Sequence, residues 1–131
     1  ETIFFIKEAK QEDVLDALRQ GRMYVRFNLK GRPAILKEFT AGNAGPGSVQ
    51  LTIKGESPAA LGTLKIELIR NGTVFKSFEE TRSEWLITVE DSPWEKEKRV
   101  YYRLKISGDS CLILSNPVFA QKAGGNYRAA Q

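Results

Sequence analysis

Apolar residues in this chain recur at every second position, in one short run after another. Only an extended strand turns that period into a single buried face. Val49, Leu51 and Ile53 alternate with Gln50, Thr52 and Lys54. Leu64, Ile66 and Leu68 repeat the pattern, as do Trp85, Ile87 and Val89, and then Val100, Tyr102, Leu104 and Ile106. Met23, Val25, Phe27 and Leu29 alternate with Tyr24, Arg26 and Asn28, which places one set on a core and the other on the opposite face. Turn formers punctuate the runs: Gly31-Arg32-Pro33, the small-residue loop Ala41 to Ser48, Asn71-Gly72, Asp91-Ser92-Pro93 and Gly108-Asp109. Asn71-Gly72 is the strongest of these, because both residues tolerate the positive φ of a two-residue hairpin turn. Seven or eight short strands with a turn every ten or so residues predict a mainly β fold: an immunoglobulin-like, two-sheet antiparallel sandwich.

One stretch breaks the period. From Gln11 to Gln20, Val14, Leu15 and Leu18 fall on one side with Ala17 close by, while Glu12, Asp13, Asp16 and Arg19 cover the other. That is helical spacing, with acids in the first turn, a base in the last, and Gly21 placed to cap it. The chain therefore predicts one short N-terminal helix.

The residues available for chemistry are few. Histidine, the side chain that titrates near neutrality and the commonest metal ligand, is absent from all 131 positions. The single cysteine, Cys111, allows neither an internal disulfide nor a cysteine-rich metal site. The length fits one domain with a real core, and no apolar run approaches the span of a bilayer. Glu1 rather than methionine opens the chain, which suggests a processed or excised product. The net charge of +4 is mildly basic, but acids interrupt the densest basic stretch, Glu95-Lys96-Glu97-Lys98-Arg99. That argues for a solvated turn and against nucleic acid as a partner. Nothing in the composition assigns a compartment.

Each remaining candidate has a plain structural explanation. Gly42-Asn43-Ala44-Gly45-Pro46-Gly47 lacks the lysine and following helix of a phosphate loop and reads as an inter-strand loop. Asn71-Gly72-Thr73 matches a glycosylation sequon, but the flanking strands favour a hairpin turn. Glu79 and Glu80 point to opposite faces of a strand, and with Glu84 and Asp91 they read as solvated strand ends. Cys111 has no histidine to activate it and reads as a small core residue. Trp85 reads as core. Tyr102 suits a tyrosine corner, its hydroxyl bonding back to the preceding loop. Trp94 and Tyr101 are the aromatics left to form a ligand surface. These residues yield no catalytic, cofactor-binding or metal-binding position.

Three ordered segments resemble a known family. Glu12-Asp13-Val14-Leu15-Asp16-Ala17-Leu18-Arg19-Gln20-Gly21-Arg22-Met23-Tyr24-Val25 is similar to the last helix and following strand of PHP-type (polymerase and histidinol phosphatase) metallo-hydrolases, in the branch with a C-terminal β-domain. Leu68-Ile69-Arg70-Asn71-Gly72 is like a hairpin of the sandwich appended there. Val100-Tyr101-Tyr102-Arg103-Leu104, leading to Leu114-Ser115-Asn116-Pro117-Val118-Phe119, resembles its final strand pair. The three matches span about residues 2 to 120.

The resemblance implies a division of labour. Residues 1–21 would be the closing strand and helix of a β/α barrel, and residues 22–120 the appended sandwich. Residues 121–131, which carry no apolar period, are expected to be a disordered tail. The family's His, Asp and Glu ligands for two or three divalent metals would lie upstream, and none maps onto this chain. The resemblance therefore implies a non-catalytic accessory domain of a metal-dependent phosphoesterase or other hydrolase, with no cofactor of its own. Its partner would be the parent's catalytic domain, buried against Ile3, Phe4, Phe5, Val14, Leu15 and Leu18. In the isolated chain those residues would pack on the sandwich or in a homodimer. The alternative is a stand-alone module that binds carbohydrate or protein through Trp94 and Tyr101.

Overall fold

A computed structural model describes residues 1–6, 10–45, 47–93, 99–123 and 126–130; the side chains of residues 20, 43–45, 121–123 and 126–130 are left undescribed. The strands are β1 (Thr2–Phe4), β2 (Met23–Asn28), β3 (Ile35–Gly45), β4 (Ser48–Glu56), β5 (Leu64–Arg70), β6 (Thr73–Glu80), β7 (Glu84–Asp91), β8 (Arg99–Ser107), β9 (Cys111–Ser115), β10 (Val118–Ala123) and β11 (Asn126–Ala130). Among the described residues one α-helix, α1 (Gln11–Gln20), lies between β1 and β2, and a 3-10 turn spans Ala59–Leu61. The pairings between these strands are antiparallel and fall into two sheets. The smaller has the order β3-β4-β7. The larger runs β1-β2-β9-β8-β10-β11, with β5 also on β8 and β6 on β5. The fold is a two-sheet antiparallel β-sandwich.

The alternating runs supply its core. Val49, Leu51 and Ile53 from the smaller sheet and Leu64, Ile66 and Leu68 from the larger are fully buried in one apolar cluster. Tyr102, Leu104 and Ile106 join it from β8, and Trp85 and Val89 from β7. Cys111 is buried there as a thiol. Gly55 in the central strand β4 has a specific duty. The Trp85 ring lies across it, and a Cβ at this position would press into that ring and sit 2.6 Å from the Ile35 carbonyl oxygen.

Turn chemistry explains the ends. α1 keeps the expected bounds, and Gly21 takes φ 69°, with the Gly21 and Arg22 N–H groups donating to the Leu18 and Ala17 carbonyls. Asn71 and Gly72 take φ 47° and 85° in the β5–β6 hairpin. The Asn71 N–H donates to the Tyr101 carbonyl while its Oδ1 accepts from the Tyr101 N–H, so the turn extends the β5–β8 ladder.

Three features depart from the sequence expectations. The stretch Ala41–Gly45 is not loop: β3 continues through it and pairs with β4 as far as Gly45 opposite Ser48. Small residues cost strand stability but leave every backbone group able to pair. Residues 121–131, expected to lack regular structure, hold the end of β10 and the strand β11, whose backbones pair from Phe119↔Ala130 to Ala123↔Asn126. The strand count also exceeds seven or eight, partly because β9 and β10 share β8. Leu112–Leu114 pair with Lys105–Ser107, and Val118–Gln121 pair with Arg99–Tyr102. Between them Pro117 has no N–H to give, and Ser115 Oγ accepts the Leu104 N–H at 2.8 Å in place of a strand carbonyl.

In β2 the polar-tipped set faces the core side, with Tyr24 buried and Arg26 and Asn28 half-buried. Tyr24 is fully buried, Arg26 lies opposite Ile113, and Asn28 lies opposite Cys111. Pairing with β9, whose Cys111 and Ile113 belong to the core, decides this phase. Met23, Val25, Phe27 and Leu29 are thereby turned outward.

Candidate interaction face and polar clusters

The outer face of the larger sheet has two unlike halves. Toward β5 and β8 it carries Lys65, Glu67, Arg103 and Lys105, with Glu67 directly opposite Lys105. Toward β1, β2 and β9 the cross-strand neighbours are Phe4↔Met23, Val25↔Leu114 and Phe27↔Leu112. Phe27 is 56% exposed, and Leu29 beyond the strand end is 85% exposed. α1 shows the same inversion: Leu15 and Leu18 are exposed at 41% and 49%, while Ala17 is its buried residue.

The residues expected to meet a further domain therefore separate into two groups. Ile3 and Phe5 pack against the sandwich core, Phe5 with its ring 5.4 Å from that of Tyr24. Phe4 shares the outer face with Met23, and Leu15 and Leu18 are exposed, with Val14 half-buried beside them. Strand alternation accounts for the Ile3–Phe4–Phe5 split. Phe27, Leu29, Leu112 and Leu114 were missed by sequence reasoning. Their signal was the outward phase of β2, and only the pairing with β9 reveals it.

Tyr101 is half-buried, its ring 6.1 Å from Phe119 and 5.7 Å from the Arg103 guanidinium carbon, so two of the chain's own side chains already attend it. Trp94 and the Glu95–Lys98 run lie outside the described residues.

Two polar clusters tie the sheets together. At the β7 edge, Arg70 Nη1 donates to both Asp91 carboxylate oxygens, at 2.8 and 2.9 Å, and the Tyr102 hydroxyl donates to Asp91 Oδ2 at 2.7 Å. Arg70 and Tyr102 are direct cross-strand partners, and the Arg70 guanidinium stacks 4.3 Å from the Phe75 ring centroid. Burial, reinforced by the hydrogen bond to Asp91, pushes the Tyr102 phenol well above its ordinary pKa. Tyr102 thus holds a corner, but on a carboxylate rather than on loop backbone. At the β3 edge the Tyr24 hydroxyl accepts the Leu36 N–H at 3.3 Å, and Arg26 Nη1 donates to the Ala34 carbonyl at 3.2 Å. Burial raises the Tyr24 phenol pKa too.

The carboxylates read as solvated strand ends divide. Glu79 and Glu84 are exposed, but Glu80 and Asp91 are buried. Glu80 accepts from the Thr81 and Arg82 N–H groups and from the Arg82 guanidinium at 2.6 Å; that bonding holds its carboxyl below the usual range. It closes the β6–β7 turn, with the lone pairs facing the chain itself. Among the described residues no three His, Cys, Asp or Glu side chains gather as a metal site, and no helix is long and apolar enough to cross a membrane.

No protein-family model matches the chain, and neither the curated proteins nor the solved structures contain a match.

Proposed function

We propose that this chain is a non-catalytic accessory domain, an immunoglobulin-like sandwich that supports or shapes access to the active site of a PHP-type metal-dependent hydrolase. Support comes first from the three ordered segments that resemble the C-terminal part of that family. The single observation that carries the reading is the inverted amphipathicity of α1 and β2. Leu15 and Leu18 face outward within the stretch that resembles the junction of barrel and sandwich, and Phe27 and Leu29 do so just beyond its end. Exposed apolar residues clustered on one half of a sheet mark a surface made for a partner. On this reading the partner is the catalytic domain, and the charged half of the same sheet faces water.

The test is hydrolysis of p-nitrophenyl phosphate with and without Mn²⁺. The 131-residue chain is expected to be inactive in both. A longer polypeptide that includes the coding sequence upstream is expected to be active and to lose activity to chelator. Metal-dependent turnover by the 131-residue chain alone would overturn the reading.

A further inference from the structure

Two stretches far apart in sequence meet at one cavity. Gly21, Arg22 and Met23, where α1 enters β2, line it from one side; Ser115, Asn116, Pro117 and Val118, where β9 breaks into β10, line it from another. Phe39 of β3 and Phe5 complete an apolar wall, and the cavity, open to solvent on one side, holds about 120 Å³. The same two stretches open and close the family resemblance.

The polar groups at this cavity are incompletely used. Arg22 Nη2 is paired with Asp16 at 2.6 Å, but Arg22 Nε is buried with no hydrogen-bond partner among the described residues. Asn116, also in the lining, gives its backbone N–H to the Met23 carbonyl, which fixes its place at the cavity. A buried N–H without an acceptor costs about 1–3 kcal/mol, so Arg22 Nε is a donor that the described residues leave open to an added acceptor.

Charge narrows that acceptor. Arg22 already carries Asp16, and the other lining cation, Lys37, carries Glu56 at 3.0 Å. Glu38, also in the lining, is itself an anion. An anionic ligand would find each cation neutralised and a carboxylate nearby. A peptide amide fits: its carbonyl accepts from Arg22 Nε, and its N–H and carbonyl match the two ends of the Asn116 amide. An apolar cavity of about 150 Å³ takes a benzene ring, so this one suits a branched aliphatic side chain.

We propose that the cavity between the α1–β2 junction and the Ser115-Asn116-Pro117 break receives an extended polypeptide segment, one aliphatic side chain inside and its neutral backbone amide on Arg22 and Asn116. The accessory-domain reading supplies the source of the segment, the catalytic domain; the cavity chemistry stands on the residues above.

The experiment is a ¹H–¹⁵N NMR titration of the 131-residue chain with N-acetyl-L-leucinamide, against sodium isovalerate, which has the same branched side chain on a carboxylate. Saturable shifts are expected for leucinamide at Met23, Thr40 and Val118, with affinity reduced about fivefold by N116A, the effect of losing one hydrogen bond. V118F, which fills the cavity, is expected to abolish them; should it fail to fold, T40Y obstructs the rim from an exposed position. Isovalerate binding as tightly as leucinamide, or leucinamide shifts no larger here than elsewhere, would overturn the proposal. Neither result touches the hydrolase test, so the two readings fail separately.

Discussion

The two edges of the three-stranded sheet are each clipped to the larger sheet by a fully buried tyrosine, and the clips differ in kind. At the β7 edge, Tyr102 gives its proton to Asp91, which also holds Arg70. At the β3 edge, Tyr24 accepts one long hydrogen bond from the Leu36 backbone. The first closes on itself. The second lies beside the cavity and on the strand whose apolar residues face outward. Of the three buried side-chain atoms without partners among the described residues, two belong to Arg22 and Asn28, which flank and end β2. The β3 side thus keeps one unspent donor, one unspent acceptor and exposed apolar area, while β7 keeps the indole N–H of Trp85 unspent among the described residues.

That contrast can be broken at several points. The largest effect is expected at neither edge but between them. Gly55→Ala forces a methyl into the Trp85 ring and the Ile35 carbonyl, and should cost about 3 kcal/mol, as overpacking does. Urea denaturation should show both edges lost in one transition; two transitions would mean that the edges are independent. At the closed edge, Asp91→Ala strands a buried phenol and an arginine, for about 2–3 kcal/mol after allowance for the 36% exposure of Arg70. At the open edge, Tyr24→Phe removes only the acceptor for Leu36 and should cost about 1 kcal/mol. A larger loss for Tyr24→Phe than for Asp91→Ala would reverse the comparison.

Alkali separates the edges further. Both phenols have raised pKa values in the fold, so the folded chain holds protons that the unfolded chain releases above about pH 10. Stability should therefore be level below that pH and fall as pH rises beyond it. Tyr102→Phe should flatten the fall more than Tyr24→Phe, because Tyr102 also faces the Asp91 carboxylate; pH-dependent thermal melts read the difference. The smallest effect is on the outer face. Phe27→Lys should change stability by no more than about 0.5 kcal/mol, read from the urea midpoint. A loss comparable to Asp91→Ala would mean that Phe27 packs inside the fold.

Much of the sandwich was legible because the period of two belongs to the backbone itself. The clearest case is β8, where every second residue from Val100 to Ile106 is buried. α1 and the Asn71-Gly72 turn were equally plain, since their signals are local. Where an apolar and a polar-tipped set alternate, as in β2, period alone does not say which set is inside. The register with β9 decides it, and register is a property of two strands. For the same reason, Phe27 and Leu29 could not be separated from core residues in advance. The burial of Asp91 and Glu80 was hidden because a carboxylate's partners, here Arg70 with Tyr102 and Arg82, are set by the fold rather than by neighbouring positions alone. The cavity was hidden too, since its two walls are joined only in space.

The hydroxyl of Ser115 has a further consequence. It stands in for one rung of the ladder between β8 and the β9–β10 run. A slip of this run by one residue would move Asn116 or Leu114 opposite Leu104 and leave that rung without its hydroxyl. Ser115 therefore works as an alignment pin: it tells the closing hairpin which of its near-equivalent pairings is the native one. Ser115→Ala should permit misaligned hairpins that compete during folding, even where the final structure is the same.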